Sequence, residues 1–140
     1  MYIYKVQIKR MGDNKKWVSV FNAKFTEFIK DLIETFPDDK DFKLCKQSFS
    51  LLQMVDEKKP VEMFQIYAMK YKERIMNKEE GFFLNHDFKE ELENSHDPNF
   101  SVDLLLKLKQ CWKSLEKKNK DVIWSYLELL YKVNAKIVWA

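Results

Sequence analysis

Glycine and proline are scarce in this chain of 140 residues, which contains two glycines and three prolines. All-β folds need many tight turns, and phosphate-binding loops need glycine where the backbone approaches the ligand closely. No GxGxxG or GxxxxGK[ST] motif occurs in the sequence, so the common nucleotide-binding loops are excluded. The shortage therefore argues against an all-β fold and against a glycine-rich nucleotide site.

Cysteine, histidine and arginine are also rare, with two residues of each. Cys45 and Cys111 lie far apart, each within an apolar helical pattern, and no CxxC spacing occurs. This arrangement predicts two buried, reduced thiols and argues against a zinc site or a disulfide framework. Nearly all the positive charge is carried by lysine, which lacks the planar fork with which arginine grips phosphates and reads guanine.

The chain is rich in material for a core: 46% of its residues are hydrophobic, 15% are aromatic and 34% are charged, with a net charge of +3. A chain of this length can bury about two-thirds of its unfolded surface. We therefore predict one ordered domain over residues 1–140, in a reducing compartment. The opening MYIYKVQIKR is interrupted by charge too often to be a signal peptide or a membrane span. We expect no membrane, cofactor or small-molecule substrate as a partner.

Apolar residues recur at helical spacing from residue 22 onward, which predicts a compact all-α bundle of five to six helices over 22–137. Asn22 is the predicted N-cap of the first helix, which ends before Pro37. Pro60 suits the first turn of the third helix. The predicted helices are 22–36, the stretch from PDDKD to residue 55, the stretch from 60 to 75, 101–117 and 120–137.

The first 21 residues allow two interpretations. Apolar and polar residues alternate from Tyr2 to Lys9, which is typical of a half-buried strand. MGDN at 11–14 would then be a turn and WVSVF at 17–21 the returning strand of a small β-hairpin. Alternatively, residues 15–21 already belong to the first helix.

Two His-Asp pairs, His86-Asp87 and His96-Asp97, contain the only histidines of the chain. Metal-dependent hydrolases combine imidazole and carboxylate ligands, but they draw them from several helices. Here both pairs lie in one loop-rich stretch. We favour a structural role, in which Asp87 and the glutamate three residues later form a capping box for a short helix at 88–93. A metal or acid–base role is the less favoured alternative.

The sequence gives no sign of nucleophilic or acid–base catalysis. The serines lie in helical patterns without a nucleophile-elbow motif. The pair Glu79-Glu80 lies in a predicted solvated turn, where nothing indicates the raised pKa that a general acid needs. We predict that the chain is not an enzyme and has no catalytic, cofactor or metal site.

Lysines recur at helical spacing opposite the leucines near the end of the chain. A basic face of this kind can follow the phosphates of a nucleic acid. It is also typical of any amphipathic surface helix, so nucleic-acid binding is an alternative function. The residues concerned, here called the lysine row, are Lys109, Lys113, Lys117 and Lys120.

Four aromatic side chains are candidate contacts with a protein partner or a second copy of the chain. Aromatic anchors framed by complementary charge are typical of protein–protein interfaces. Trp139 either folds back on its own domain or packs against such a partner. The candidate contacts are Trp17, Phe82, Phe83 and Trp139.

Three segments carry a resemblance: FTEFIKDLIETFPDDKDFKLCKQ at 25–47, NKEEGFFLNHDF at 77–88 and CWKSLEKKNKDVIWSYLELL at 111–130. Together they resemble short, uncharacterised helical proteins encoded by large DNA viruses of algae and amoebae, of the phycodnavirus and mimivirus kinds. The resemblance implies a viral source and a helical domain, and it implies no reaction. Abundant Lys, Asn, Ile, Phe and Tyr fits an AT-rich genome.

The resulting hypothesis is a non-catalytic structural or protein–protein interaction protein of a large DNA virus. It would act as an oligomer in virion assembly or in the viral replication compartment. The expected location is the host cytoplasm, at the viral factory, or the virion.

Overall fold

The computed structural model describes residues 2–94 and 100–139, and in these ranges it contains α-helices and short 3-10 helices but no strand. The α-helices are α1 (Tyr2–Thr35), α2 (Lys40–Val55), α3 (Lys59–Tyr67), α4 (Lys72–Met76), α5 (Glu80–Asn85), α6 (Lys89–Asn94), α7 (Phe100–Cys111) and α8 (Lys117–Ala135). The 3-10 helices are Met69–Tyr71 and Trp112–Ser114. Helix α1 packs on α2 and α8, and α2 packs on α3 and α7. Of the helices in the described ranges, none is both long enough and apolar enough to cross a lipid bilayer.

The all-α prediction is confirmed, but the described chain is divided into more helices than five to six. The predicted helix at 60–75 is interrupted at Ala68, where a 3-10 turn separates α3 from α4. The segment between α4 and α6 is broken at Lys78 and Phe88, whose φ angles of 54° and 55° lie in the left-handed region. A helix cannot continue through such a residue, so α5 is only six residues long.

The predicted N-terminal hairpin is wrong, because α1 runs without a break from Tyr2 to Thr35. Val18 and Phe21 are both buried in the core. Positions three apart share one face of a helix but point to opposite faces of a strand. Asn14, predicted in the turn, instead makes side-chain hydrogen bonds to the backbone of Val138. Gly12 weakens a helix by only about 1 kcal/mol, which does not end it.

Asn22 is not the N-cap of the first helix, because it lies well inside α1 and is buried. Its side-chain amide donates a hydrogen bond to the carbonyl of Glu57, at 3.0 Å. In contrast, the acidic start predicted for α2 is present. Asp39 is the N-cap, and its carboxylate accepts a hydrogen bond from the backbone N–H of Asp41 at 2.9 Å.

Aromatic side chains join the helices at the centre of the core. Phe25 of α1 lies 4.4 Å from Phe49 of α2 and 4.8 Å from Phe100 of α7, measured between ring centroids. Tyr131 of α8 packs on Phe64 of α3 at 4.9 Å. The buried apolar residues of α1, α2, α3, α7 and α8 form one continuous cluster. Burial of these rings is therefore what holds the helices together.

Candidate functional site

A cleft of about 620 Å³ lies where three segments distant in sequence meet. One wall comes from α1, the second from the turn between α2 and α3 with the start of α3, and the third from the segment after α8. The lining residues are Asn14, Lys15, Val18, Asp56, Glu57, Lys58, Val61, Glu62, Ile137, Val138 and Trp139. The volume is in the range of pockets that receive a ligand or an anchoring side chain.

The wall after α8 is held in place by Asn14. Its side-chain amide donates to the carbonyl of Val138 at 3.0 Å, and its side-chain oxygen accepts from the Val138 N–H at 2.9 Å. This two-way pairing gives hydrogen-bond partners to the backbone of Val138, which lies outside regular secondary structure. The next residue, Trp139, therefore stands at the mouth of the cleft with 38% of its surface exposed.

The floor of the cleft is apolar and fixed by buried amides. Val18, Val61 and Ile137 are all buried. Asn134 donates from its side chain to the carbonyl of Val61 at 3.2 Å. The amide of Asn22 holds the α2–α3 turn through Glu57, as described above. The floor is thus preorganised, which lowers the entropy lost when a ligand binds.

The rim of the cleft carries charges of both signs. Lys15 and Lys58 provide positive charge, and Asp56, Glu57 and Glu62 provide negative charge. A rim of mixed sign does not select a single anion or cation, whereas it suits the mixed side chains of a protein segment. An apolar floor with a polar rim is the usual arrangement of a protein-binding hot spot.

Of the predicted partner contacts, Trp139 lines this cleft and Trp17 does not. Trp17 is half-buried, and the ammonium groups of Lys16 and Lys136 lie 5.1 Å and 5.8 Å from its ring. Trp139 is therefore the predicted contact that the structure leaves open to a partner at this site.

Phe82 and Phe83 belong to a different group of aromatic contacts. Phe83 is only 1% exposed and packs on Trp112 and Trp124, with ring centroids 5.6 Å and 6.2 Å away. It is a core residue, which corrects the expectation that it would contact a partner. Phe82 is half-buried and stacks on His86 at 5.2 Å.

His86 lies in this aromatic group rather than in an acidic cluster. Its Nε2 is 2.9 Å from the hydroxyl of Tyr71, and its ring contacts Phe82 and Phe88. Asp87 accepts a hydrogen bond from the Lys89 N–H at 3.0 Å, which caps α6. The capping box predicted between Asp87 and Glu90 is not what the structure shows: the bond to Asp87 comes from Lys89, and the short helix begins at residue 89 instead of 88.

The second pair, His96-Asp97, lies outside the described residues. In the part of the chain that the structure covers, no group of three or more His, Cys, Asp or Glu side chains is placed to hold a metal ion.

The two cysteines, Cys45 and Cys111, are free thiols and do not form a disulfide bond. Cys45 is buried as predicted, and burial together with the nearby Asp103 carboxylate raises its pKa to about 12. Cys111 is only half-buried.

The lysine row does not form one helical face. Helix α7 ends at Cys111, and Leu115 has an extended backbone that redirects the chain before α8 starts. Lys109 donates to the carbonyl of His86. Lys120 bonds to the carboxylate of Glu80 at 3.1 Å and lies 5.6 Å from the Trp112 ring. Two of the four lysines are therefore engaged in contacts within the chain.

Two ionic clusters fasten helices to each other. Glu80 accepts hydrogen bonds from Lys120 and from the indole of Trp112, and these bonds lower its pKa. Lys107 contacts Asp39 at 2.7 Å and Asp41 at 3.0 Å. Partial burial alone would raise the pKa of Asp39, but the hydrogen bonds from Lys107 and from the Asp41 N–H, together with the charge of Lys107, outweigh it, and the net pKa is lowered. Both clusters join helix ends and are structural.

The chain has no match among protein-family models, curated proteins or solved structures.

The cleft itself was not predicted from the sequence. Its three walls come from positions near 15, 58 and 138, and no local pattern shows that these positions meet. One signal was present. Asn22 and Asn134 occur inside otherwise apolar helical stripes, and a buried amide must find a backbone partner in another element. Both amides bond at the α2–α3 region that borders the cleft.

Proposed function

We propose that this chain is a non-catalytic protein-interaction domain whose cleft beside Trp139 receives an apolar segment of a partner protein. The observation that carries the proposal is the preformed apolar floor of Val18, Val61 and Ile137 beneath a half-exposed tryptophan. Tryptophan is strongly enriched among residues that dominate binding energy in interfaces.

The polar groups of the described residues support a non-catalytic role. The buried polar groups include the amides of Asn22 and Asn134 and the hydroxyls of Ser101 and Tyr131. The carboxylates with the clearest partners, Glu80 and Asp39, are neutralised by lysines that connect helices. The hydrogen bonds and ion pairs that these groups make between helices explain their positions.

The biological setting is part of the same proposal. The resemblance to helical proteins of large DNA viruses supports a viral source, and for that source we propose a role in virion assembly or in the viral replication compartment. In that setting the chain would work as an oligomer in the host cytoplasm or in the virion.

Affinity capture with matched variants tests the interaction. The tagged wild-type chain, Trp139→Ala and the control Ile66→Ala are expressed in the cells that naturally produce the chain, and captured proteins are quantified by mass spectrometry. Ile66 is 67% exposed and does not line the cleft. We expect a partner recovered equally by the wild type and Ile66→Ala, and about thirty-fold more weakly by Trp139→Ala, since a hot spot contributes about 2 kcal/mol. Equal recovery by all three chains would refute the proposal.

A further inference from the structure

Helix α2 presents an apolar stripe to solvent on the side opposite the core. The inner side buries Phe42, Cys45 and Phe49. The outer side carries large apolar residues that no part of the described chain covers. They are Leu44, Leu51, Met54 and Val55, which are 58%, 63%, 82% and 77% exposed.

These residues lie on one face of α2 and are not distributed around the helix. Leu44, Leu51 and Val55 are separated by seven and four residues, which places them in line along a helix. The stripe from Leu44 to Val55 is about 16 Å long at a rise of about 1.5 Å per residue. Ser48, which is half-buried, lies in the same line between Leu44 and Leu51. Single exposed apolar residues are normal, whereas several aligned on one helix face mark a contact surface.

Each end of this stripe carries charges of both signs, including Lys43 at the N-terminal end and Asp56 at the C-terminal end. Lys40 and Lys43 lie at its N-terminal end, and in residues 2–94 and 100–139 neither makes an ion pair. The nearby acids do not neutralise them, because Asp39 and Asp41 are both turned to Lys107. At the other end, Asp56 directly follows the last residue of α2 and is exposed.

We propose that the stripe is covered by α2 of a second copy of this chain, with the two helices antiparallel about a two-fold axis that passes between Ser48 and Leu51. This inference goes beyond the proposed function, because it adds a second surface and names its occupant. The antiparallel register that centres the stripe sets Leu44 against the partner's Val55. It also places Lys43 beside the partner's Asp56, twice in each dimer.

Charge favours this direction over a parallel one. A parallel pair would place Lys43 against the partner's Lys43 and would align the two helix dipoles side by side. The antiparallel pair instead places the positive N-terminal end of each helix next to the negative C-terminal end of the other. A two-fold arrangement of this kind closes on itself and yields a dimer.

An interface of one helix from each copy is at the small end of protein–protein interfaces. We therefore expect a dimer with a Kd in the micromolar range, which dissociates on dilution. The surface buried is continuous with the cleft, because Asp56 contributes to both.

Sedimentation equilibrium of the purified chain between about 1 µM and 1 mM spans the dissociation of a micromolar dimer. The wild type is expected to change from monomer to dimer over this range. Leu51→Glu places two carboxylates close to the axis and should raise the Kd at least about 100-fold, which moves the change from monomer to dimer to about 100-fold higher concentration. Val122→Glu, an equivalent change of an exposed residue on α8, should dimerise like the wild type. A wild type that stays monomeric, or a Leu51→Glu chain that dimerises equally well, overturns the inference.

Charge exchange tests the direction of the helices. Lys43→Glu and Asp56→Lys should each raise the Kd, and the double variant should restore it. Because Asp56 also accepts a hydrogen bond from the Lys58 N–H, the Tm of each variant is measured to show that it is folded. Failure of the double variant to restore a dimer overturns the antiparallel pairing.

The failure of this inference is distinguishable from the failure of the proposed function. If the dimer survives Leu51→Glu but is lost in Trp139→Ala, self-association uses the cleft, and the α2 pairing is refuted. If Leu51→Glu is monomeric while capture shows no dependence on Trp139, the α2 pairing stands and the cleft proposal is refuted.

Discussion

Replacing Phe49 with alanine should remove a large fraction of the stability of this protein. Phe49 is almost completely buried, and its ring lies 4.4 Å from Phe25 and 5.4 Å from Phe100. The three rings come from α2, α1 and α7, so one truncation weakens contacts among three helices.

The expected loss is about 4 kcal/mol in the free energy of unfolding, because Phe→Ala changes in cores cost about 3–5 kcal/mol. Each aromatic pair contributes about 0.5–1.5 kcal/mol within that sum. Phe49→Leu keeps most of the volume but loses both ring pairs, and should cost about 1–2 kcal/mol. For a domain of this size, a loss of about 4 kcal/mol lowers the Tm by about 15 °C.

Urea denaturation followed by circular dichroism at 222 nm measures the loss at a protein concentration where the chain is monomeric. Ile66→Ala, on the exposed side of α3, is the control and should change stability by less than about 0.5 kcal/mol. A loss below about 1 kcal/mol for Phe49→Ala would refute the reasoning that this aromatic group holds the helices together.

Three further predictions concern buried amides, acid stability and nucleic acid. Asn134 is fully buried, and its side-chain oxygen has no hydrogen-bond partner in the described structure. Asn134→Leu should therefore change the free energy of unfolding by less than about 1 kcal/mol, whereas Asn134→Asp, which buries a charge, should lower it by more than about 3 kcal/mol. Urea denaturation measures both changes. The pKa of Glu80 is lowered by its bonds to Lys120 and Trp112, so its contribution is present above its ordinary value of 4.5 and is lost as the pH falls through the folded-state pKa. Thermal unfolding from pH 7 to pH 3 should therefore show a weaker acid dependence in Glu80→Gln. For nucleic acid, fluorescence anisotropy with a labelled DNA duplex should show no steep salt dependence. Four phosphate contacts would give a slope of about −3.6 in a plot of the logarithm of the binding constant against the logarithm of the salt concentration. Such a slope, if it is lost when the lysine row is changed to glutamate, would establish the alternative function.

The helical body of the fold could be predicted because its information is local. The acidic start of α2 at Asp39 and the early proline of α3 act within one turn of the residues that carry them. The apolar stripe of α8, including Leu127 and Leu130, is buried as its spacing predicts. Local signals of this kind need no knowledge of the rest of the chain.

The hairpin interpretation of the N-terminus and the single helical face expected of the lysine row are both wrong, because tertiary contacts outweigh local patterns. The alternative interpretation, in which residues 15–21 belong to the first helix, is confirmed. The alternation from Tyr2 to Lys9 resembles a strand, but the helix that buries Val18 and Phe21 continues backward through it. The lysine row has helical spacing in the sequence but does not lie on one helix, because the chain turns at Leu115.

The cleft could not be predicted from the sequence, whereas part of the exposed α2 stripe could. The cleft depends on contacts such as Asn14 with Val138, which are separated by more than a hundred residues. The stripe was in principle visible, because Leu44, Leu51 and Val55 share a spacing that excludes Phe42 and Phe49. Deciding which of two apolar faces is buried requires the packing of α7 and α3 on α2.

Photo-crosslinking from the mouth of the cleft tests the central claim most directly. A benzophenone amino acid is placed at position 139 in one chain and at position 118, exposed on α8, in a matched control. The cells that produce the chain are then irradiated. Occupation of the cleft by a partner protein predicts a discrete covalent adduct from position 139 and none from position 118. The absence of an adduct from position 139, or equal adducts from both positions, would contradict the account.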